Sequence, residues 1–455
     1  MAFIFYDTET TGLAAGFDQI LQFAGIVTDD DLNPIEEINL RCRLQPHVIP
    51  SPGALVITGV RPSDIAGANL SHYEMIREIR ALIERYAPAV IVGYNSISYD
   101  EGMLRQAFYQ TLNPTYLTNT GGNMRMDVLK LAHAASQYAP DVLQVPLNDK
   151  GKPSFKLELL APTNGLTHLD AHEALSDTQA TLDLARLIRD RAPAVWEAMR
   201  RTSSKQGALA ALDEDVFCSS EMMFGQPSIL ATKIAANPDN PSEVAVFDLS
   251  HDPTPYLDTS EKDMSSLLRI SPRPIRIIKA NQSPIVTPHT LSHPGVAGHG
   301  QTMDQLMDKV RAVREHPTFA RNVAGAVATR YPEREAPAYV EQRIFEGFPS
   351  AADNALMEQF HAAPWADRPA IVSRIQDARL RELGERLIYL EHPDALTAET
   401  RQGHDAWRKK RFHAEGDVPW VTVTSAYGEL DEIKGDPRAQ DGMLAEIREF
   451  VDLLR

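Results

Sequence analysis

The feature that most restricts this fold is a short apolar run that ends in acid. Phe3 to Tyr6 is continuously apolar and is followed at once by Asp7-Thr8-Glu9 and the turn-forming Thr10-Thr11-Gly12. Such a run, closed by a turn, fits a strand buried on both faces and predicts the α/β class. Side chains two apart on a strand share a face, so Asp7 and Glu9 bring two carboxylates to one point at the strand end. Hard divalent cations take such oxygens, and a cation also relieves the repulsion between neighbouring acids. Taken alone, an Asp-x-Glu pair fits solvated loop acids more readily than a metal site.

Further strands are predicted at Ile20 to Thr28, at Ile38 to Leu44 by period-two alternation, and at Ala89 to Tyr94. Tyr73, Ile76, Ile79, Ile83 and Tyr86 recur at helical spacing, and a last helix is predicted from about His172 to Ile188. The order of these elements suits a mixed sheet whose early strands are joined by hairpins. Beyond Pro193, short β-like runs at Val244 to Leu249, Pro274 to Lys279 and Pro284 to Thr287 lie between turn-rich stretches, as in a small barrel or sandwich. Thr302 to Gln305 reads as a capping box opening a helix, and from about Ala336 the signals are mostly helical. Three parts are expected: residues 1–195, 196–340 and 341–455, in the order α/β, β-rich and helical.

Charge narrows the function. Asp and Glu number 62 against 45 Lys and Arg, a net charge of -17, which argues against gripping nucleic acid by bulk positive charge. No basic lobe hides in the average, because residues 1–192 hold 15 cationic against 23 acidic side chains. The local cluster Arg408, Lys409, Lys410 and Arg411 reads as a solvated helix face, and Arg276 and Lys279 as exposed cations of a strand. Cys42 and Cys218 are too few for a disulfide framework. The chain opens without a basic, apolar export signal, and no run approaches the ~20 apolar residues of a membrane span, so a cytoplasmic protein is expected.

Two more groups carry chemistry. Asp100 lies just past the strand ending at Tyr94-Asn95, at the start of a predicted helix, where it fits equally a helix cap and a metal ligand. Its neighbour Glu101 reads as a first-turn acid without a catalytic role. In His172-Glu173-Ala174-Leu175-Ser176-Asp177, five residues turn an ideal helix by about 140° and rise about 7.5 Å, so the pair cannot sit as adjacent ligands on one face. Asp177 pointing toward the sheet edge, with His172 reaching over from the entering loop, fits a general base, because imidazole titrates near ~6.5. Four carboxylates and one His at a sheet edge suit two divalent ions, about 3.5 to 4 Å apart, flanking a phosphodiester.

With these motifs, Asp-x-Glu, Asn-x(4)-Asp and His-x(4)-Asp, the sequence resembles the DEDDh exonucleases of the DnaQ-like, RNase H-like superfamily. Across nearly its full length it is similar to the bacterial exonuclease I family. That likeness runs through Gln45-Pro46, Pro52-Gly53-Ala54, Ile57-Thr58-Gly59, Gly93-Tyr94-Asn95 and Pro153 to Glu158, and on to Met223-Phe224-Gly225 and Phe345-Glu346-Gly347-Phe348. The resemblance implies an RNase H-like exonuclease domain, an SH3-like β-barrel domain and a C-terminal helical domain around a cleft for a single strand. It implies 3′→5′ hydrolysis of single-stranded DNA to 5′-mononucleotides, in repair and recombination. It further implies two Mg²⁺ ions, replaceable by Mn²⁺, on Asp7, Glu9, Asp100 and Asp177, with His172 as general base. Substrate contacts are expected at Glu9, Tyr94, Asn95 and Lys156. Ser98 departs from the family pattern, which favours Arg there. A monomer is implied, as is a partner: the tail of the single-stranded DNA-binding protein, near the second domain. An RNA-trimming exonuclease and a non-catalytic DNA-end-binding scaffold are the alternatives. The residues after ~190 weigh against the first, and the retained acids against the second.

Overall fold

In the computed structural model, which describes residues 1–168, 173–221, 227–331 and 336–454, the N-terminal apolar run becomes the middle strand of a five-stranded mixed sheet. Its strands are β1 (Ala2–Thr10), β2 (Ile20–Thr28), β3 (Pro34–Arg41), β4 (Ala89–Gly93) and β5 (Met124–Asp127), in the order β3-β2-β1-β4-β5. β1 runs antiparallel to β2 and parallel to β4, and β4 is parallel to β5. Every residue of β2 and β4 is buried, which is why both are legible as mostly apolar runs, β2 with Gln22 and Thr28 among its buried residues. β3 is an edge strand whose exposed Glu37, Asn39 and Arg41 alternate with half-buried Ile38 and Leu40. It ends at Arg41, short of the expected Leu44, and Cys42 makes only an isolated bridge to Leu70.

The alternation of β1 decides what its acids face. Ile4 and Tyr6 pack with α2 (His72–Tyr86) and α3 (Asp100–Gln110) on one side of the sheet. Phe3 and Phe5 pack on the other, with α4 (Val128–Tyr138) and α5 (Ala174–Arg191). Asp7 and Glu9 continue the Phe3/Phe5 parity and so face α5. Along α5, Thr181, Leu184 and Ile188 form a buried stripe at spacings of three and four. Asp177 is the N-terminal member of that stripe, in the first turn of the helix. Residues 169–172 lie outside the described residues, and so does the expected start of this helix at His172.

A second, antiparallel sheet holds β6 (Phe217–Ser220), β7 (Ile229–Ala236), β8 (Glu243–Asp248), β9 (Ile275–Lys279) and β10 (Ile285–Pro288), in the order β10-β6-β7-β8-β9. The motif Met223-Phe224-Gly225 lies outside the described residues. α6 (Met303–Arg314) begins at the predicted capping box, with Thr302 and Gln305 bonded reciprocally. One apolar core runs from Phe3 and Leu184 through Trp196 to Leu230, Phe247 and Val310. Both cysteines are buried and unbridged.

The remaining chain is helical and includes α7 (Ala378–Glu391), α8 (Ala398–Phe412), α9 (Val423–Glu432) and α10 (Asp441–Asp452). Leu430, Met443 and Ile447 from α9 and α10 share a core with Leu21, Leu55, Val56 and Ile65 from the first 65 residues. The expected solvated face on α8 does not hold for Arg411. It is buried, 3.4 Å from the buried Glu341 carboxylate, with its guanidinium over the Trp420 ring. Nor is Arg276 an exposed cation: it is 8% exposed and lies 3.5 Å from Asp248. Among the described residues, no helix is long and apolar enough to cross a membrane.

A candidate carboxylate metal centre

At the end of β1, Asp7, Glu9 and Asp177 place one carboxylate oxygen each within 4.8 Å of one another. A register shift between Glu9 and Thr10, opposite Gln22 and Ile20, interrupts the β1–β2 ladder at this point. Such irregularities re-aim side chains beside functional sites. Asp100, the first residue of α3, stands beside the trio rather than within it and is 5% exposed. Its carboxylate accepts a 2.5 Å hydrogen bond from the Thr8 hydroxyl, which ties the second motif to the first. Four acids from three motifs therefore meet at one sheet edge.

Their electrostatics are those of acids buried close together. Burial, then the charges of Asp100 and Glu9, hold the Asp7 carboxyl well above the usual carboxylate range. Burial and the Asp177 and Asp100 charges push Glu9 up to about 9, and burial raises Asp100 to about 7. Among the described residues no Lys or Arg is ion-paired to Asp7, Glu9 or Asp100, and bound cations or protons are what offset the charge of acids buried in this way. An all-oxygen donor set of this kind fits Mg²⁺ or Mn²⁺.

His172 lies outside the described residues. The described histidine at this site is His168, whose Nε2 meets Asp177 Oδ1 and whose side chain is 2% exposed. Sequence reasoning missed His168, although its place four residues before His172 repeats the helical-turn spacing. Glu173 caps α5 by accepting from Ser176 N and holds Gln22 Nε2 at 2.9 Å, which pins the start of α5 to β2. Asp127 was also missed. It is 1% exposed, ends the four-residue β5, and accepts from the backbone N–H groups of Asn95 and Ile97 at 2.9 and 3.3 Å, fixing the loop that leads to Asp100.

The expected substrate residues scatter more widely. The Tyr94 hydroxyl donates to the Phe155 carbonyl, one residue before Lys156, and burial raises its pKa. Asn95 is exposed at a left-handed φ of 58°, which suits Asn at a tight turn. Lys156 is 71% exposed and pairs with Glu158 at 3.0 Å. Ser98 is exposed. Glu101 is in the first turn of α3, as expected, 3% exposed and bound to Arg125 at 2.9 Å and Thr118 at 3.0 Å.

A 660 Å³ cavity opens beside the carboxylates, lined by Thr8, Glu9, Leu13, Ile57 and Tyr99 from the first part of the chain and by Val418 to Trp420 from the last. The Tyr99 hydroxyl, 2.6 Å from Thr10 Oγ1, donates to the Gly12 carbonyl and braces the wall nearest the acids.

Known proteins match this architecture along its whole length. A family model described as exonuclease matches residues 4–185, and one described as exonuclease I C-terminal domain matches residues 338–454. The exodeoxyribonuclease I of Haemophilus influenzae is 27% identical over 468 aligned positions, covering 99% of this chain and 98% of that protein. The structure of Escherichia coli exonuclease I in complex with a 5cy-dT13 oligonucleotide superposes with a TM-score of 0.85 at 25% identity, covering 100% of this chain and 99% of the other. A structure of SSB/exonuclease I in complex with the inhibitor CFAM gives 0.84 at 25% identity, with the same coverage. With an RNase T/DnaQ-like exonuclease region bearing the acid cluster and the matching C-terminal domain, the chain belongs to the exonuclease I family of hydrolases.

Proposed function

We propose that this protein is a metal-dependent 3′→5′ exonuclease that removes 5′-mononucleotides from single-stranded DNA. The observation that carries the reading is the convergence of Asp7, Glu9 and Asp177 beside Asp100, next to a cavity roomy enough for a nucleotide that Glu9 lines. Asp7, Glu9, Asp100 and Asp177 would hold two divalent cations, Mg²⁺ in the cell with Mn²⁺ able to substitute. Bound there, the cations supply charge neutralisation at the phosphodiester and a more acidic water.

The chain's own residues do the rest. Glu9, Tyr94, Asn95 and Lys156 position the strand, with Tyr94 acting through the Phe155 carbonyl it holds. His172 takes the proton of the attacking water, and His168 fixes the orientation of Asp177 through Nε2. An acidic protein binds DNA here because contact is confined to a groove, where base stacking supplements charge. The domains run 1–195, 196–340 and 341–455, the second antiparallel sheet forming the SH3-like barrel. The protein acts as a cytoplasmic monomer in DNA repair and recombination. Its partner is the tail of the single-stranded DNA-binding protein, a reading supported by the SSB/exonuclease I structure.

The reading is tested by release of labelled nucleotides from matched single-stranded DNA, duplex DNA and RNA of one sequence. Single-stranded DNA is expected to be degraded fastest. Preferential degradation of RNA would mark a 2′-hydroxyl reader and replace the proposal with the RNA-trimming alternative. Replacing the general base separates the two histidines: His172→Ala is expected to lower kcat by about 10²- to 10⁴-fold, His168→Ala by about tenfold or less. Comparable losses in both, measured at saturating substrate, would overturn that division of roles.

A further inference from the structure

The cavity beside the acids is not built by the exonuclease region alone. Part of its floor is α1 (Pro52–Thr58), whose Gly53, Ala54, Ile57 and Thr58 line it. α1 has only seven residues and offers little intrinsic stability, so its placement depends on what it is packed and bonded to. Those contacts come from the far end of the chain. On its inner side Leu55 and Val56 pack against Leu430, Met443 and Ile447 of α9 and α10. At its N-terminus the carboxylate of Glu429, on α9, accepts from Ser51 Oγ at 2.7 Å and from Gly53 N at 3.1 Å.

The same few atoms reach the motif strand. Ser51 Oγ also accepts from Ala54 N at 3.1 Å, which starts α1, while Ser51 N donates to the Thr11 carbonyl at 2.8 Å, two residues beyond Glu9. Glu429 thus grips the one turn that joins the cavity floor to the end of β1. The fit is close: a Cβ on Gly53 would lie 2.6 Å from Glu429 Oε1, so a side chain there would displace the carboxylate. Glu446 on α10 repeats the device one segment on, accepting from Ser63 N at 2.8 Å and pairing with Arg61 at 3.2 Å.

We infer that Glu429 is a positioning residue for the nucleotide cavity, through which the C-terminal helices set the place of α1 and so the seating of the strand's terminal nucleotide beside the acids. The inference rests on the function proposed above. Removing the carboxylate frees α1 to shift and leaves Asp7, Glu9 and Asp177, which are held by β1 and α5, where they are. The loss therefore falls on substrate binding rather than on turnover. The amide of Gln presents the same acceptor oxygen to Ser51 and Gly53, so Glu429→Gln retains the grip.

The experiment takes the full chain and a dT8 oligonucleotide, with steady-state KM and kcat in Mg²⁺ and affinity by fluorescence anisotropy in EDTA. Glu429→Ala is expected to raise KM and the EDTA dissociation constant about tenfold with kcat within about twofold, and Glu429→Gln to stay within about threefold of the parent throughout. Gly53→Ala, which meets the carboxylate, is expected to raise KM in the parent but to add nothing in the Glu429→Ala background. If Glu429→Ala alone unfolds the C-terminal helices, Gly53→Ala in the parent keeps the test open, because an unchanged KM in folded Gly53→Ala would overturn the inference. Unchanged KM and affinity in folded Glu429→Ala, or equal losses in Ala and Gln, would overturn the inference. A parent protein that binds dT8 but does not hydrolyse it would instead overturn the proposed function.

Discussion

Asp177→Ala and Asp177→Asn are both expected to lose at least about 10³-fold in turnover on single-stranded DNA while unfolding cooperatively near the parent's Tm. The expectation follows from where the side chain sits. Thr181, Leu184 and Ile188 of the same stripe are buried and pack α5 onto the sheet, whereas Asp177 stands at the stripe's open end among the other acids. Its contribution is therefore charge at the site rather than packing. The Asn variant makes the argument sharp, because it keeps the size of the side chain and an acceptor for His168 while removing the negative charge. Turnover within tenfold of the parent in Asp177→Asn, measured with metal in excess, would show that this carboxylate is no ligand.

The second large effect is on stability. Folded, metal-free protein is expected to lose stability as pH rises, and Glu9→Gln to recover part of that loss. The sign follows from the shifts. Glu9 is pushed up to about 9 and Asp100 to about 7 in the fold, against ordinary carboxyl values near ~4 in the unfolded chain. Between those values the native state holds more protons than the unfolded state, so stability falls as pH climbs from about 4 toward 9. Below about pH 4 both states are protonated and the penalty vanishes. Glu9→Gln is thus expected to raise the EDTA-treated Tm at pH 8 by about 2–4 °C, with little change at pH 4.5. Added Mg²⁺ should raise the parent's Tm more than the variant's, because a ligand that binds only the native state stabilises it. Scanning fluorimetry at both pH values, with EDTA and with Mg²⁺, reads all four numbers. Identical Tm values for parent and variant in EDTA at pH 8 would mean that Glu9 is not held under charge repulsion.

Such a site costs stability to keep, and that cost explains which parts of it the sequence makes legible. Asp7 and Glu9 stand out because acids at the end of an apolar run contradict the local pattern, and Asp100 and Asp177 because of their spacing from Asn95 and His172. β2 is predicted to its last residue because a strand buried on both faces writes itself as a mostly apolar stretch, here broken only by Gln22 before Thr28. β5 escapes because four residues, Met124-Arg125-Met126-Asp127, are too few to show a period, and Asp127 is hidden with it. Arg276 and Arg411 are misread for one shared reason. Both are buried by ion pairs to residues 28 or more positions away, to Asp248 and Glu341 in turn, and no window of local sequence contains both partners. The same holds for Glu429, whose partners Ser51 and Gly53 lie nearly four hundred residues earlier.

The central claim is metal-dependent removal of nucleotides from a 3′ end, and its most direct test is a 5′-labelled single-stranded DNA oligonucleotide incubated with the purified protein in Mg²⁺, beside an EDTA control, and resolved on a sequencing gel. The account predicts a ladder of labelled products shortening from the 3′ end, present with Mg²⁺ and absent with EDTA. A labelled mononucleotide appearing at once would show attack from the 5′ end, and an intact strand in a folded, metal-saturated sample would show no nuclease at all. Either result would contradict the account.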